Sequence, residues 1–478
     1  MGNLSTFALT IVSAAILSRY FDKTEYGTYR QILYVYNTLL VIFTAGLPRV
    51  FAYYLPRYPL AQGREIVWKI SKVLLLAGLV FSVFLFVFSG LIANLLRNPE
   101  LARGLKVFSP IPLLLLPTLG IEGIFSTYKK AVFIAIYNTL TRIMMLLFII
   151  LPVIIFRGSY LYAIYGWIIV SVITLVVAYF FKMIPFRGVS SESSGLTVKE
   201  ILAYSIPLAV ASIAGIAIKA ADQFYISRYF GTGTFADFSN GFIELPLAHM
   251  ITGATSTVLM PLFSKLIYDR SDIKQVTGLW QSTLQKSAVI IYPMVLYFMF
   301  FASDVMVVLY SSKYIDSGIY FIIAMTINFF NVIVFAPLLF ALGETKFYAR
   351  LHIWTAIIAW VFGYLIVLIL NSPVAIAIFS AARSIALVIA AMIFTSKRLN
   401  IKFNELFPAG KLLMVGVHSL LSLVVIKLGF RYLPGMTPLV TLITSCLAFC
   451  ALLLLTSPLF RIRYLSIIKP ILNQQAKS

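Results

Sequence analysis

Charged side chains are scarce in this chain of 478 residues. They make up 11% of it, and the 16 Asp and Glu residues are outnumbered by 38 Lys and Arg. Soluble domains carry about a quarter charged residues, so this content excludes an ordinary soluble protein. The only two cysteines, Cys446 and Cys450, lie in one apolar run with no other metal ligand nearby, which excludes a disulfide framework and a cysteine metal centre. The longest polar interruptions, 182–199 and 264–286, are too short for a catalytic domain outside a membrane.

Hydrophobic residues make up most of the chain. They form 61% of the chain, the mean hydropathy is +0.97, and the apolar residues run in stretches of about 20, the length of one membrane crossing. The sequence therefore predicts an all-α polytopic membrane protein with 14 transmembrane helices. The predicted spans lie near 3–18, 31–55, 71–96, 106–126, 131–155, 159–181, 201–226, 235–262, 287–309, 317–341, 349–371, 373–395, 411–429 and 436–459.

Most of the basic residues behind the net charge of +22 lie in the loops between these spans. With a cytoplasmic N-terminus, the cytoplasmic loops and tail hold roughly twice as many Lys and Arg as the outer loops, which satisfies the positive-inside rule. This distribution argues against a nucleic-acid partner. It predicts a multi-pass protein of the inner (plasma) membrane with both termini in the cytoplasm.

A short repeat suggests how the spans are organised. The tetrapeptide SRYF occurs at Ser18–Phe21 and again at Ser227–Phe230, 209 positions later, and without a gap aromatic residues then coincide at 26 and 235 and at 29 and 238. This coincidence indicates an internal repeat, and chance combined with a common interfacial motif is the alternative explanation. Arg19 and Arg228 are expected to reach the membrane interface from the outer ends of their spans, with direct contact to departing substrate as the alternative.

Six spans repeated once give two six-helix lobes related by an axis along the membrane normal, with two C-terminal helices added. The predicted organisation is a first lobe at 1–181, a cytoplasmic linker at 182–199, a second lobe at 200–395, and two extra helices with a basic cytoplasmic tail at 396–478. The 209-residue offset also places the counterpart of Pro207 before Met1. We therefore expect either a longer native N-terminus or a first half that has lost the helical turns corresponding to those around Pro207.

Three segments carry a resemblance to a known family. The segments ILSRYFDKTEYGTYRQ after the first span, GLPRVFAYYLPR at 46–57 and ALGETKFYAR between spans ten and eleven resemble the MOP exporter superfamily, most of all its polysaccharide transport branch, the Wzx-type flippases. The resemblance implies two lobes around a central cavity, alternating access, and a polyprenyl-pyrophosphate-linked oligosaccharide as substrate. It also implies membrane lipids and other polysaccharide assembly proteins as partners. Multidrug exporters and lipid II flippases share this scaffold, so the fold alone does not choose the substrate.

Basic residues within the spans are the candidate substrate contacts. Ionisable groups inside a membrane usually face a cavity or a partner, and Arg is well suited to binding pyrophosphate. The candidates are Arg49, Arg142, Arg383 and Lys219. The alternatives are interfacial snorkelling for the first and interhelical salt bridges for the next two.

Acidic residues within the spans are candidates for salt bridges or ion coupling. Asp222 lies three residues after Lys219 and could neutralise it, and Glu122 could pair with an arginine. Glu244, just before Pro246, is the strongest candidate for H+ or Na+ coupling. No catalytic residue, metal ligand or other cofactor is predicted.

Together these features predict a flippase that moves a lipid-linked O-antigen or other surface polysaccharide repeat unit from the cytoplasmic to the outer leaflet. An ion-coupled multidrug or small-metabolite antiporter on the same scaffold is the alternative. A membrane-embedded glycan polymerase or ligase is disfavoured, because its chemistry would need a sizeable outer loop.

Overall fold

The structure, a computed structural model, describes residues 2–431, 435–462 and 464. All regular secondary structure in these residues is helical. The helices of the first half of the chain are α1 Gly2–Tyr20, α2 Lys23–Thr44, α3 Leu47–Tyr54, α4 Leu60–Leu95, α5 Pro99–Phe108, α6 Pro110–Leu115, α7 Ile121–Thr127, α8 Ala131–Phe156, α9 Tyr160–Met183 and α10 Val198–Gly241. Those of the second half are α11 Pro246–Tyr268, α12 Ile273–Phe300, α13 Ala302–Tyr310, α14 Ser317–Asn331, α15 Ala336–Ala341, α16 Thr345–Leu370, α17 Pro373–Arg398, α18 Phe403–Leu406, α19 Ala409–Arg431 and α20 Pro438–Thr456.

Eleven helical segments of the described chain are long and apolar enough to cross a membrane, or up to 13 if each of two bent helix pairs forms one span. This confirms an all-helical, multi-pass membrane protein, because only internally hydrogen-bonded helices satisfy their backbone in lipid without forming a barrel. The bent pairs coincide with the second and seventh predicted spans. The apolar part of α1, Ile11–Tyr20, is shorter than these segments.

One of the two polar interruptions seen in the sequence, 264–286, is largely helical in the structure. Residues 264–286 form the end of α11 and the start of α12, joined by a turn at 269–272. Asp272 caps α12 by accepting a hydrogen bond from the backbone nitrogen of Lys274, as short polar residues do at helix N-termini. The helices therefore extend beyond the apolar core, which hydropathy alone does not show.

Two residues with positive φ form the break after α2. Ala45 and Gly46 both have positive φ, at 46° and 71°, and Pro48 then starts α3, where its missing N–H costs no hydrogen bond. The two helical parts meet at 41°. A Cβ on Gly46 would lie 2.7 Å from the carbonyl oxygen of Ser205, so glycine is required both for its conformation and for the close approach of α10.

The chain divides into two compact units, Met1–Ala236 and Asp237–Ser478. In the first, α8 and α9 form an extensive antiparallel pair. A Cβ on Gly166 of α9 would collide with the carbonyl oxygen of Phe148 on α8. The two helices approach this closely because small residues let membrane helix backbones come into contact.

The segment between α9 and α10 is tied to the start of α4. Arg64 donates to the carbonyl of Val189, and Lys69 Nζ donates to the carbonyl of Leu196 at 2.5 Å. Glu65 accepts from Ser194 Oγ at 2.5 Å and pairs with Lys69 at 2.6 Å. These hydrogen bonds hold the part of the predicted linker between Val189 and Leu196 against α4 of the first unit.

The second SRYF copy is more than an interfacial anchor. Ser227 is buried and accepts a hydrogen bond from Gln31 Nε2 at 2.7 Å, while Asn98 Nδ2 donates to Gln31 Oε1 at 2.6 Å. Arg228 donates to the carbonyl of Leu95 at the end of α4. Its guanidinium therefore caps a helix of the first unit, where a cation is favoured.

The 209-residue offset also holds for buried polar positions. Thr28 and Gln31 are buried in the first unit, and the residues at the corresponding offset, Asp237 and Asn240, are buried in the second. Asp237 accepts from Ser317 Oγ at 3.1 Å. Buried polar groups need partners, so each half keeps a hydrogen-bonded cluster at the same place in its sequence.

The two C-terminal helices pack within the second unit. α19 lies along α12 and contacts α20, and Tyr297 of α12 donates to the carbonyl of Leu442 at 2.7 Å. Lys427 Nζ donates to the carbonyl of Phe300 at 2.7 Å. His418 of α19 is buried, with Tyr464 Oη 2.9 Å from its Nδ1 and Thr456 Oγ1 2.7 Å from its Nε2, as expected for a packing residue. Most of the predicted basic tail lies outside the described residues.

Candidate functional site

A cavity of about 150 Å³ lies inside the first unit, between α1, α2, α8 and α9. Residues of all four helices line it: Ser13, Ala14, Tyr26, Tyr29, Arg30, Leu33, Arg142, Met145, Leu146, Ile149 and Trp167. Two of these side chains are guanidinium groups, and within the described part of the chain none of the lining residues is acidic. The cavity is therefore cationic at its polar end and apolar along its walls.

One face of α2 and one face of α8 form two walls of the cavity. Positions 26, 29, 30 and 33 of α2 and positions 142, 145, 146 and 149 of α8 follow the spacing of one helix face. Trp167 Nε1 donates to Tyr29 Oη at 3.0 Å, which fixes the tyrosine ring against α9. The sequence predicted Arg142 here but missed Arg30, although the same spacing around it in α2 was a usable signal.

Arg142 is partly buried, and Glu122 is exposed. Glu122 Oε1 accepts from Asn138 Nδ2 at 2.9 Å, one helical turn before Arg142 on α8. Among the described residues no carboxylate oxygen lies within 4.0 Å of the Arg142 guanidinium. The Glu122 carboxylate therefore accepts a hydrogen bond from the Asn138 amide. It does not form the interhelical salt bridge with Arg142 that the sequence also allowed.

The other candidates of the first unit occupy different surroundings. Arg49 is exposed in the first turn of α3, directly after the break in the chain. On α10, Asp222 is buried whereas Lys219 is exposed. Tyr34 Oη donates to the carbonyl of Ala220 at 3.0 Å, so this part of α10 packs on α2.

Two candidates lie in the second unit. Arg383 of α17 is only 6% exposed; its Nη2 donates to Ser380 Oγ at 3.3 Å, and its guanidinium carbon lies 5.4 Å from the centre of the Phe379 ring. Glu244 lies in the non-helical break between α10 and α11, and its Oε2 is 3.4 Å from Nδ1 of His249. Both members of this pair are about half exposed.

Lys182 is a buried cation that sequence reasoning assigned to the linker. The structure places it in the last turn of α9, 3% exposed. Its Nζ donates to the carbonyl of Pro117 at 2.7 Å and to Ser71 Oγ at 3.0 Å, and lies 5.0 Å from the centre of the Phe51 ring. Pro117 lies in the short 3-10 turn that follows α6, so the ammonium binds a carbonyl that the interrupted helix leaves without a regular α-helical partner.

Substituting Lys182 with methionine is expected to destabilise the protein by about 1–3 kcal/mol, because the buried Pro117 carbonyl loses its charged donor while side-chain volume is kept. The measurement is thermal unfolding in detergent. Lys199→Met, at an exposed position of α10, is the matched control and should leave the melting temperature unchanged. An unchanged or raised melting temperature for Lys182→Met would mean that the desolvation cost of the ammonium outweighs its hydrogen bonds.

Metal ligands do not cluster in the described ranges, where no group of three His, Cys, Asp or Glu residues is placed to hold an ion. Cys446 and Cys450 are both exposed thiols. The cavity is lined by guanidinium groups, aromatic hydroxyls and apolar side chains, which can bind an anion.

Solved transporters share this fold. A lipid II flippase MurJ in an inward closed conformation matches with a TM-score of 0.72 and 16% identity, over 96% of this chain and 98% of the flippase. An inward-facing multidrug resistance MATE family transporter of the MOP superfamily matches with a TM-score of 0.63 and 14% identity, over 84% of this chain and 95% of the transporter. At these identities the likeness establishes the fold.

Sequence comparison adds the family. The succinoglycan biosynthesis transport protein ExoT of Rhizobium meliloti (strain 1021) is 26% identical over 325 residues, which cover 66% of this chain and 61% of that protein. A family model described as polysaccharide biosynthesis protein matches residues 16–319. The resemblance found in the sequence is confirmed: this chain belongs to the polysaccharide biosynthesis protein family, with the fold of the MOP superfamily transporters.

Proposed function

We propose that this chain is a flippase for polyprenyl-pyrophosphate-linked oligosaccharide, moving the glycan from the cytoplasmic to the outer leaflet. The observation that carries the proposal is the cationic lining of the cavity between α1, α2, α8 and α9, in which none of the described residues is acidic, in a chain of a polysaccharide biosynthesis family. A pyrophosphate headgroup is an anion, and guanidinium groups bind it through paired, charge-assisted hydrogen bonds.

The proposed architecture has fourteen crossings, two six-helix lobes around a central cavity, two further helices, and both termini in the cytoplasm. The headgroup enters from the cytoplasm while the polyprenyl tail stays in lipid. Arg49, Arg142, Arg383 and Lys219 are the proposed contacts along the path. No bond is made or broken, so the protein acts by changing which side of the membrane the site faces.

Ion coupling is proposed at Glu244. Its carboxylate lies beside His249 in a break between helices, and carboxylates within membrane spans mark ion and proton pathways. Glu122 and Asp222 are the other acids in position to take part. The flippase needs no bound cofactor under this proposal.

Gene deletion tests the function. We expect lipid-linked oligosaccharide to accumulate on the cytoplasmic leaflet and surface glycan to be lost, with both restored by the wild-type gene. The measurements are glycan staining of the cell surface and mass spectrometry of extracted lipid-linked intermediates.

The MATE-like fold supports the alternative, an ion-coupled exporter of drugs or small metabolites. Under that function the deletion strain would keep its surface glycan and become sensitive to cationic dyes. This outcome would contradict the flippase.

A further inference from the structure

We propose that the buried cation Lys182 is a positioning residue for substrate binding: acting through Phe51, it fixes the face on which α3 presents Arg49. The proposal rests on the proposed function, in which Arg49 contacts the anionic headgroup. Lys182 is 3% exposed, so any effect that it has on a substrate passes through its neighbours.

The helix that carries Arg49 is too short to fix its own direction. α3 has eight residues, and isolated helices shorter than about 12–15 residues are marginal in water. Before it, Ala45 and Gly46 have positive φ, which interrupts the hydrogen-bond ladder of α2. The orientation of α3 therefore depends on the contacts that its buried face makes.

α3 has one buried face and one exposed face. Its buried residues are Leu47, Val50 and Phe51, whereas Arg49 and Ala52 are exposed. Successive residues of an α-helix are about 100° apart around its axis, so Arg49 and Phe51 point to opposite sides. A rotation of α3 that releases Phe51 would therefore also turn Arg49 away from its exposed position.

The Phe51 ring packs against two groups from other parts of the first unit. Lys182 Nζ lies 5.0 Å from the centre of the ring, within the reach of a cation–π interaction. Gly120 has a φ of 91°, and a Cβ at this position would collide with the ring. The ammonium and the glycine together therefore determine where the ring lies.

Lys182 itself has a fixed position. Its Nζ donates to the carbonyl of Pro117 at 2.7 Å and to Ser71 Oγ at 3.0 Å. Hydrogen bonds with a charged partner are stronger than neutral ones. The ammonium beside the Phe51 ring is thus held by two bonds, and it connects the end of α9 to α3, to α4 and to the turn after α6.

The test measures whether α3 turns when the ammonium is removed. Single-cysteine proteins are made after Cys446→Ser and Cys450→Ser, and the purified full chain is labelled with a maleimide in detergent. Arg49→Cys reports on the exposed face of α3, and Val50→Cys reports on its buried face. Val153→Cys, at a fully buried position of α8, reports on global unfolding.

We expect Lys182→Met to speed labelling of the thiol at position 50 about tenfold, the factor for the loss of one charge-assisted hydrogen bond. A buried thiol reacts through local opening of the structure, and α3 opens more often without the ammonium. The thiol at position 49 should react quickly in both proteins, and the thiol at position 153 should stay unlabelled over the same time. Lys182→Arg keeps the charge and the donors and should restore slow labelling, and Lys199→Met should have no effect.

A second variant disturbs the same ring and leaves the ammonium in place. Gly120→Ala pushes on Phe51, so it should also speed labelling at position 50, and the proposal stays testable if Lys182→Met folds poorly. An unchanged rate at position 50 in both variants would overturn the proposal. Labelling at position 153 together with position 50 would also overturn it, because Lys182 would then only stabilise the whole unit.

Surface glycan links the position of α3 to transport. At matched expression, Lys182→Met should reduce surface glycan several-fold and Lys182→Arg should restore it. Full export by Lys182→Met, with fast labelling at position 50, would show that the orientation of α3 does not matter for transport and would overturn the positioning role. The deletion strain decides the flippase separately: labelling needs no transported substrate, so failure of the proposed function and failure of the positioning role give different results.

Discussion

Charge reversal at Arg49 is expected to reduce surface glycan to the level of the deletion strain. The residue is exposed in the first turn of α3, after a break that two positive-φ residues create. A guanidinium in this position can bind a phosphate by charge-assisted hydrogen bonds, each worth about 1.5–3 kcal/mol, so their loss alone lowers affinity about tenfold or more. Arg49→Glu adds repulsion of the anion to that loss. Surface glycan staining, at matched expression, is the measurement.

Two variants separate substrate binding from membrane topology. Lys72→Glu reverses an exposed cation on α4 and should leave glycan export intact, although it reverses one charge in the same way as Arg49→Glu. Arg49→Lys keeps the charge but loses the paired geometry, and we expect partial export. Full export by Arg49→Glu would remove this residue from the substrate path, and equal loss in Lys72→Glu would assign the effect to topology.

Leucine at position 166 is expected to prevent the first unit from packing. A Cβ there would already collide with the Phe148 carbonyl oxygen and lie 3.1 Å from the Cα of Ile149, so α9 would have to move away from α8. Overpacking typically costs 1–3 kcal/mol, and more where the obstacle is backbone that cannot rotate aside. Because folded proteins are stable by only about 5–15 kcal/mol, we expect the yield of monodisperse Gly166→Leu protein to fall several-fold.

Gly90→Leu is the matched control for this substitution. Gly90 is exposed on α4, and apart from its own stretch of helix no atom of the described residues lies within 4 Å of the Cβ that it would gain. It should give wild-type yield and elution in fluorescence-detected size-exclusion chromatography. A Gly166→Leu protein that elutes and melts like the wild type would show that α8 and α9 can separate without loss of the fold.

The membrane helices could be predicted because their signal is local. A run of about 20 apolar residues can satisfy its backbone in lipid only as a helix, and each of the eleven long helical segments overlaps a predicted span. The repeat was also readable, since the 209-residue offset from SRYF relates Thr28 and Gln31 to Asp237 and Asn240. Family membership followed from ordered motifs along the chain and is shown by the match over 16–319.

The cavity could be predicted only in part. Arg142 was singled out because an arginine in the middle of a span is costly wherever it points. Arg30 and Lys182 lie just outside the predicted spans 31–55 and 159–181, where a sequence cannot distinguish a solvated cation from a buried one. Lys182 is buried because a break at Pro117, in another part of the chain, presents a carbonyl to it.

The sequence by itself determined the helical class, the membrane setting and the family, because hydropathy, loop charge and short motifs are properties of neighbouring residues. Only the tertiary structure decided which cations line the same cavity. Arg30 and Arg142 are 112 positions apart, and they line one cavity because α2 and α8 each direct one helical stripe into it. That convergence depends on how closely backbones such as those at Gly166 and Phe148 can pack, and no local pattern encodes it.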